Sequence, residues 1–172
     1  KLKVPYNRRP VRARCPPSVQ RVASYSHWIL APATASGRDA ERAVGSSVGG
    51  ADGGSYPRIV YDAYPPDGGS PHAGASSGSL LFDAEFETAN LRRAVQVGAR
   101  EYSLVLNADV NTRGHTQWFL FRIRGMEAGL DYRFHIINMM KPDSLFSSGM
   151  RPLQYSERHA AEEGVGWRRA GD

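Results

Sequence analysis

Cysteine is nearly missing from this 172-residue sequence: Cys15 stands alone, so no disulfide can close within the chain, and such usage fits a reducing, cytoplasmic setting. Long apolar runs are missing too. Nowhere do 18 apolar residues follow one another, which leaves no candidate for a membrane-crossing helix. No Asn-x-Ser/Thr acceptor occurs, and the opening Lys1-Leu2-Lys3-Val4-Pro5 has no apolar stretch behind it of the secretory kind. The first residue is not Met, which suits a fragment.

Acidic residues are absent from positions 1–21, where seven Lys and Arg gather. The net charge of +5 belongs entirely to residues 1–78, which carry 10 basic and 5 acidic side chains; residues 79–172 carry 12 of each. The high isoelectric point of about 9.6 therefore describes a tail and not a face of the folded part. A basic tail can attract nucleic acid, anionic lipid or an acidic protein. Few aromatic residues interleave these charges, as a single-strand-binding groove would require, and the simpler reading is a solvated, disordered segment.

The stretch from Ser36 to Gly78 holds 10 of the 18 glycines, with Pro65, Pro66 and Pro71 among them. It reads as a low-complexity linker, too rich in backbone entropy and too poor in apolar surface to fold alone. Its glycine pairs make no phosphate loop, since no Gly-Lys-Ser/Thr follows. Ahead of it Val22–Leu30 reads as a strand, and within it Tyr56–Tyr64 reads as another strand or as a segment docked on the domain.

From Leu80 the pattern changes. Leu80, Phe82, Ala84 and Phe86 alternate with a mostly acidic set, as a strand with one buried face does. Leu91–Val97 follows, then Tyr102, Leu104 and Leu106 on one face of a third strand. Gln117–Ile123 is apolar on both faces, which suits a central strand between two layers. Tyr132, Phe134 and Ile136 alternate again, and Met150–Tyr155 is shorter. Ser156 is a good N-cap with Glu157 in the first turn and Gly164 as a stop, predicting a short helix. Trp167–Ala170 opens a further strand. Six or seven short strands with little helix predict an all-β antiparallel sandwich over residues 79–172, preceded by a disordered basic, Gly/Pro/Ser-rich leader over residues 1–78.

The second half also resembles a known family. Phe86-Glu87-Thr88-Ala89-Asn90-Leu91-Arg92-Arg93-Ala94 is similar to an F-E-S-G-N-L-x-x-A opening, and Asn107-Ala108-Asp109-Val110-Asn111-Thr112 to an N-x-D-x-N-T loop. Gln117-Trp118-Phe119-Leu120-Phe121 resembles Q-W-F-x-F, and Tyr132-Arg133-Phe134-His135-Ile136-Ile137-Asn138 resembles Y-R-F-x-I-x-N. Lys141-Pro142-Asp143-Ser144-Leu145, Gly149-Met150-Arg151-Pro152 and Gly166-Trp167-Arg168-Arg169 complete the series. In this order the blocks resemble the amino-terminal β-sandwich of the cytosolic carboxypeptidases. Ala89 departs from the family's usual Gly, and residues 1–78 have no counterpart in the pattern.

The resemblance implies a non-catalytic domain that packs against a carboxypeptidase domain, supporting its folding and shaping substrate access. That family hydrolyses carboxy-terminal or branched glutamates from proteins such as tubulin, using a zinc-bound water. The implied partners are a catalytic domain in cis and, through it, tubulin or other glutamylated acidic proteins. The match runs to Asp172, which places the last strands of the sandwich and the catalytic domain outside the chain. The expectation is an inactive chain with no cofactor of its own and an exposed sheet edge prone to association. The alternative is a stand-alone interaction module that binds acidic protein or nucleic acid through residues 1–21.

No residue is expected to be catalytic, cofactor-binding or metal-binding. His159 and Glu162 have the His-x-x-Glu spacing of a zinc carboxypeptidase, but only ten residues follow Glu162 and none is His. Residues three apart on a helix are neighbours in any case. His115 is expected to be exposed, His135 to be a packing residue, and His27 and His72 to be isolated. Asn107, Asp109 and Asn111 lack the Gly and Glu of a calcium loop, and are expected to fix a turn through their side chains. Arg122, Arg124, Arg133 and Arg151 are expected to pair with Asp83, Glu85, Glu87 and Glu101.

Overall fold

In a computed structural model the chain is described over residues 11–14, 26–32, 56–140 and 149–170, with the side chains of the first two segments left aside. The strands are β1 (Val11–Arg14), β2 (Ser26–Pro32), β3 (Arg58–Asp62), β4 (Leu81–Asp83), β5 (Leu91–Gly98), β6 (Glu101–Leu106), β7 (Trp118–Arg124), β8 (Asp131–Ile136), β9 (Leu153–Ser156) and β10 (Trp167–Arg169), with one helix, α1 (Glu157–Glu163). They form two five-stranded sheets, one ordered β1-β8-β6-β5-β3 and the other β10-β9-β2-β7-β4. The fold is all-β, as the alternation predicts.

Period-2 patterning decides which side of each strand faces inward. In β6, Tyr102, Leu104 and Leu106 are buried while their neighbours are partly exposed; in β7 it is Phe119, Phe121 and Ile123. These residues meet between the sheets with Val60, Tyr61, Phe82, Leu91, Ala94, Tyr132 and Phe134. Aromatic rings fill the centre. Phe82 stands edge-on to Phe134 with centroids 6.1 Å apart, and Tyr102 stacks on Phe134 at 5.8 Å. Such offset and T-shaped pairs add to plain area burial.

The pairing is antiparallel except between β6 and β8, which run parallel. The chain leaves β6, crosses to the other sheet to lay down β7, and returns to place β8 beside β6. A parallel neighbour needs a connection of this length.

The short helix follows its expected boundaries. The Ser156 hydroxyl accepts from the His159 N–H, Glu157 lies in the first turn, and Gly164 ends the helix in the left-handed conformation at φ 72°.

Two expectations need correction. Ser79 is not the start of the fold, because β3 lies before it and puts Val60 and Tyr61, both fully buried, into the shared core. The backbones of β1 and β2 also join the sheets, β1 pairing with β8, and β2 lying between β7 and β9. The described part of the Gly-rich run, residues 56–78, is also laid against the sandwich. The Asp62 N–H donates to the Pro71 carbonyl at 2.9 Å, and a Cβ on Gly74 would stand 1.8 Å from the Ile59 carbonyl oxygen. Glycine is used there for close backbone approach and not for looseness. The remainder of that run, residues 36–55, and most of the basic segment 1–21 lie outside the described residues, and so does the block at 141–145.

Candidate functional site

Two side-chain amides, a buried one at Asn90 and a half-buried one at Asn138, hold backbone groups of the strands. Asn90, at the entrance to β5, donates from Nδ2 to the Trp118 carbonyl at 2.8 Å and accepts the Leu120 N–H on Oδ1 at 3.0 Å. Its own N–H donates to the Leu120 carbonyl at 3.1 Å, and its carbonyl accepts from the Asn107 N–H at 2.7 Å. One residue thereby ties the β5 sheet to β7 in the other. Asn138 exchanges two hydrogen bonds of 2.8 Å with the Leu106 peptide, accepting its N–H and donating to its carbonyl. A buried amide is tolerated only when it finds hydrogen-bond partners, and Asn90 meets that condition.

The histidines singled out by spacing do not converge. His159 and Glu162 sit on α1, but both Glu162 oxygens accept from Arg158 Nε, at 3.0 and 3.1 Å. His135 Nε2 lies 2.6 Å from Glu101 Oε1, so Glu101 faces a histidine and not one of the arginines. His115 donates its backbone N–H to the Thr112 hydroxyl at 3.1 Å. His72 is not isolated, because its ring stands 5.4 Å from that of Tyr61. His27 lies in β2 and its side chain is outside the described residues. Among the described residues no three His, Cys, Asp or Glu side chains gather as a metal site.

The 107–115 loop is held in a different way from the one expected. The Thr112 hydroxyl donates to the Asp109 carbonyl at 2.7 Å, and the Asp109 N–H donates to the His115 carbonyl at 2.7 Å. Asn111 takes the left-handed conformation, φ 62°, which Asn tolerates better than most residues.

The arginines divide between the sheets. Arg133 lies on β8, whereas Arg122 and Arg124 lie on β7, and Arg151 precedes β9 and accepts from Arg169 Nη1 through its carbonyl at 2.9 Å. Arg122 pairs with Asp83, directly opposite it in the β4–β7 register, and its guanidinium also stands 6.0 Å from the Phe86 ring centroid. Asp83 is buried rather than on an acidic exposed face. Burial pushes its carboxyl up, but the Glu85 N–H, the Arg122 guanidinium and the charge of Arg124 outweigh that and leave it below the usual aspartate value.

The strongest surface feature is the outer side of the β10-β9-β2-β7-β4 sheet. Opposite residues in a ladder share a face, so the register puts Leu81, Trp118, Leu120, Leu153, Tyr155 and Trp167 together there. All are half-buried or exposed, Trp167 at 45% and Leu81 at 42%. The Tyr155 and Trp167 rings pair at 5.3 Å. Gln117–Ile123, expected to lie buried between two layers on both of its faces, is instead only half-buried on this side at Trp118 and Leu120.

Comparison with known proteins gives the order of the motifs its meaning. Residues 82–170 match the family model of the cytosolic carboxypeptidase N-terminal domain. The chain belongs to the cytosolic carboxypeptidase family. Cytosolic carboxypeptidase 2 of Danio rerio is 53% identical over 93 residues, covering 54% of this chain and 13% of that protein. Cytosolic carboxypeptidase 3 of Bos taurus is 48% identical over 94 residues, covering 55% of this chain and 9% of that protein. No solved structure matches the chain.

The family match also reaches back before Ser79. Cytosolic carboxypeptidase 2 of Xenopus tropicalis is 40% identical over 129 residues, covering 66% of this chain and 13% of that protein; that share is more than residues 79–172 supply. The segment expected to lack a family counterpart therefore has one in part, in agreement with the strands it contributes. The family motif residues are chiefly architectural: Asn90, Asn138 and Thr112 satisfy backbone groups, and Phe119, Phe121, Tyr132 and Phe134 fill the core.

Proposed function

We propose that this chain is the non-catalytic N-terminal domain of a zinc metallocarboxypeptidase-like protein, supporting the folding of a catalytic domain outside these residues and access of substrate to it. The observation that carries the reading is the family match itself: an N-terminal domain model spans residues 82–170, and the relatives named carboxypeptidases are many times longer than the matched stretch. The motif residues support it, since they serve hydrogen-bond satisfaction and packing. The reaction proposed for the whole protein is removal of carboxy-terminal or branched glutamates from acidic proteins such as tubulin, in the cytoplasm, with zinc held by the catalytic domain.

The test is a metal-replete assay of the purified chain on a glutamylated peptide, with zinc counted in parallel. No glutamate release and no stoichiometric zinc are expected. Release that disappears on changing His159 or Glu162 would overturn the reading.

The concentration of seven basic and no acidic residues in positions 1–21 favours one addition, an acidic protein or nucleic acid held by that segment. Binding of that kind falls steeply with salt and should vanish when residues 1–21 are removed; salt-insensitive binding would exclude it.

A further inference from the structure

The outer side of the β10-β9-β2-β7-β4 sheet is built unlike a solvent-facing one. Antiparallel sheets with one free face alternate apolar-in with polar-out. Here the outward positions of β7 begin Trp118 and Leu120 before turning to Arg122 and Arg124, and β9 and β10 add Leu153, Tyr155 and Trp167. Through β2 the register sets Arg122 and Tyr155 on the same side of the sheet, so Trp118 and Trp167 fall on one face. Tryptophan and tyrosine with arginine at the margin are the residues that protein interfaces concentrate.

The opposite sheet is faced differently. Its outward apolar positions are aliphatic, Ile59 on β3, Val97 on β5 and Val105 on β6, and its β6 and β8 also turn Glu101, Ser103, Asp131 and Arg133 outward. Among the described strand residues, aromatic outward surface is thus gathered on one side of the sandwich.

We infer that this face is where the carboxypeptidase part of the longer protein docks. The inference rests on the reading of the chain as an N-terminal domain and adds which side of it is covered. Two observations choose this occupant. The relatives extend far beyond the matched stretch, which supplies a partner of sufficient size. And β10, the last strand of the family-matched stretch, is the edge of this same sheet, so the polypeptide of the longer relatives emerges at the rim of the apolar face.

The test compares the 172-residue chain with a chimera in which it replaces the corresponding stretch of full-length Danio rerio cytosolic carboxypeptidase 2. Hydroxyl-radical oxidation read by mass spectrometry reports each side chain. Trp118, Tyr155 and Trp167 should react about tenfold more slowly in the chimera, as the dry centre of an interface does, while Val110, which is 86% exposed on the 107–115 loop, should be unchanged. Slow reaction in the chain alone at every concentration would mean that its own segments cover the face; protection that grows with concentration would mean a second copy does. Either outcome overturns the inference. Protection in the chimera confined to the β1-β8-β6-β5-β3 side would overturn it but leave the N-terminal-domain reading intact, and no protection anywhere would sink both. Trp167→Glu in the chimera separates docking from folding. It should restore fast oxidation of Tyr155 with the melting temperature of the isolated domain unchanged, and unaltered protection would count against docking.

Discussion

Asn90 illustrates how a short polar side chain can join two sheets. It sits 6% exposed with its amide facing the Trp118 carbonyl and the Leu120 N–H. Asn90→Ala removes two hydrogen bonds and leaves a donor and an acceptor buried without partners, each costing about 1–3 kcal/mol. The expected loss is about 2–4 kcal/mol, read as a lower urea midpoint at unchanged slope. Thr88, two residues earlier, has φ 67°, a conformation a β-branched residue adopts only under strain. The family motif places Gly one position later, yet Ala89 has no such backbone demand and the strain belongs to Thr88. Thr88→Gly should raise stability by about 1 kcal/mol, the relief of strain exceeding the entropy that Gly adds to the unfolded chain.

Titration follows from the same buried groups. Burial, reinforced by the charge of Glu85, pushes the Tyr61 phenol up to about 12. Burial does the same to Tyr102, reaching about 12 although its oxygen accepts the Leu80 N–H. Both phenols are neutral in folded and unfolded chains below pH 10. Above it the unfolded chain ionises first, so stability is lost between pH 10 and about pH 12, at about 1.4 kcal/mol per unit for each phenol. At the acid end Asp83 acts in the opposite sense. Its lowered value contributes stability that is present above the ordinary aspartate range and lost as pH falls below it. Guanidine melts across pH 2–12 should show both flanks, with Tyr102→Phe flattening the alkaline one and Asp83→Asn the acid one.

Among the elements, those that depend on period-2 alternation were legible and those that depend on distant partners were not. β6, β7 and β8 show their buried faces as every second residue, and Ser156 and Gly164 mark the helix by local chemistry. The strand expected over Leu80–Phe86 is only Leu81–Asp83 in length; the Asp83 carboxylate accepts the Glu85 N–H at 2.8 Å, and the ladder with β7 ends at that residue. Nothing local to Asp83 announces Arg122, 39 residues on. The outer-face pair of β9 and β10 depends on Gly166 in the same non-local way. A Cβ there would lie 2.1 Å from the Tyr155 ring. Gly166→Ala should swing Tyr155 out, separate it from Trp167 and detach β10, seen as faster amide exchange confined to Leu153–Ser156 and Trp167–Arg169.

At the scale of the whole molecule, composition misplaced the boundary of the domain. A Gly- and Pro-rich run before Ser79 has the statistics of a linker, and only the three-dimensional register reveals that strands on its far side complete both sheets. β2 is the middle strand of its sheet, with β7 on one side and β9 on the other, and β3 closes an edge of the opposite sheet. A chain reduced to residues 79–172 would keep every family motif block yet lose that middle strand, so that the β9–β10 pair would be cut off from β7 and β4. It would also lose Val60 and Tyr61 from the core. Exposed ladders of this kind recruit other chains. The 79–172 fragment should therefore show no cooperative urea transition by far-ultraviolet circular dichroism and should aggregate, whereas a chain lacking only residues 1–10 should unfold in one step. A cooperative, monomeric 79–172 fragment with the slope of the full chain would show that β2 and β3 are accessories, and the boundary at Ser79 would then stand.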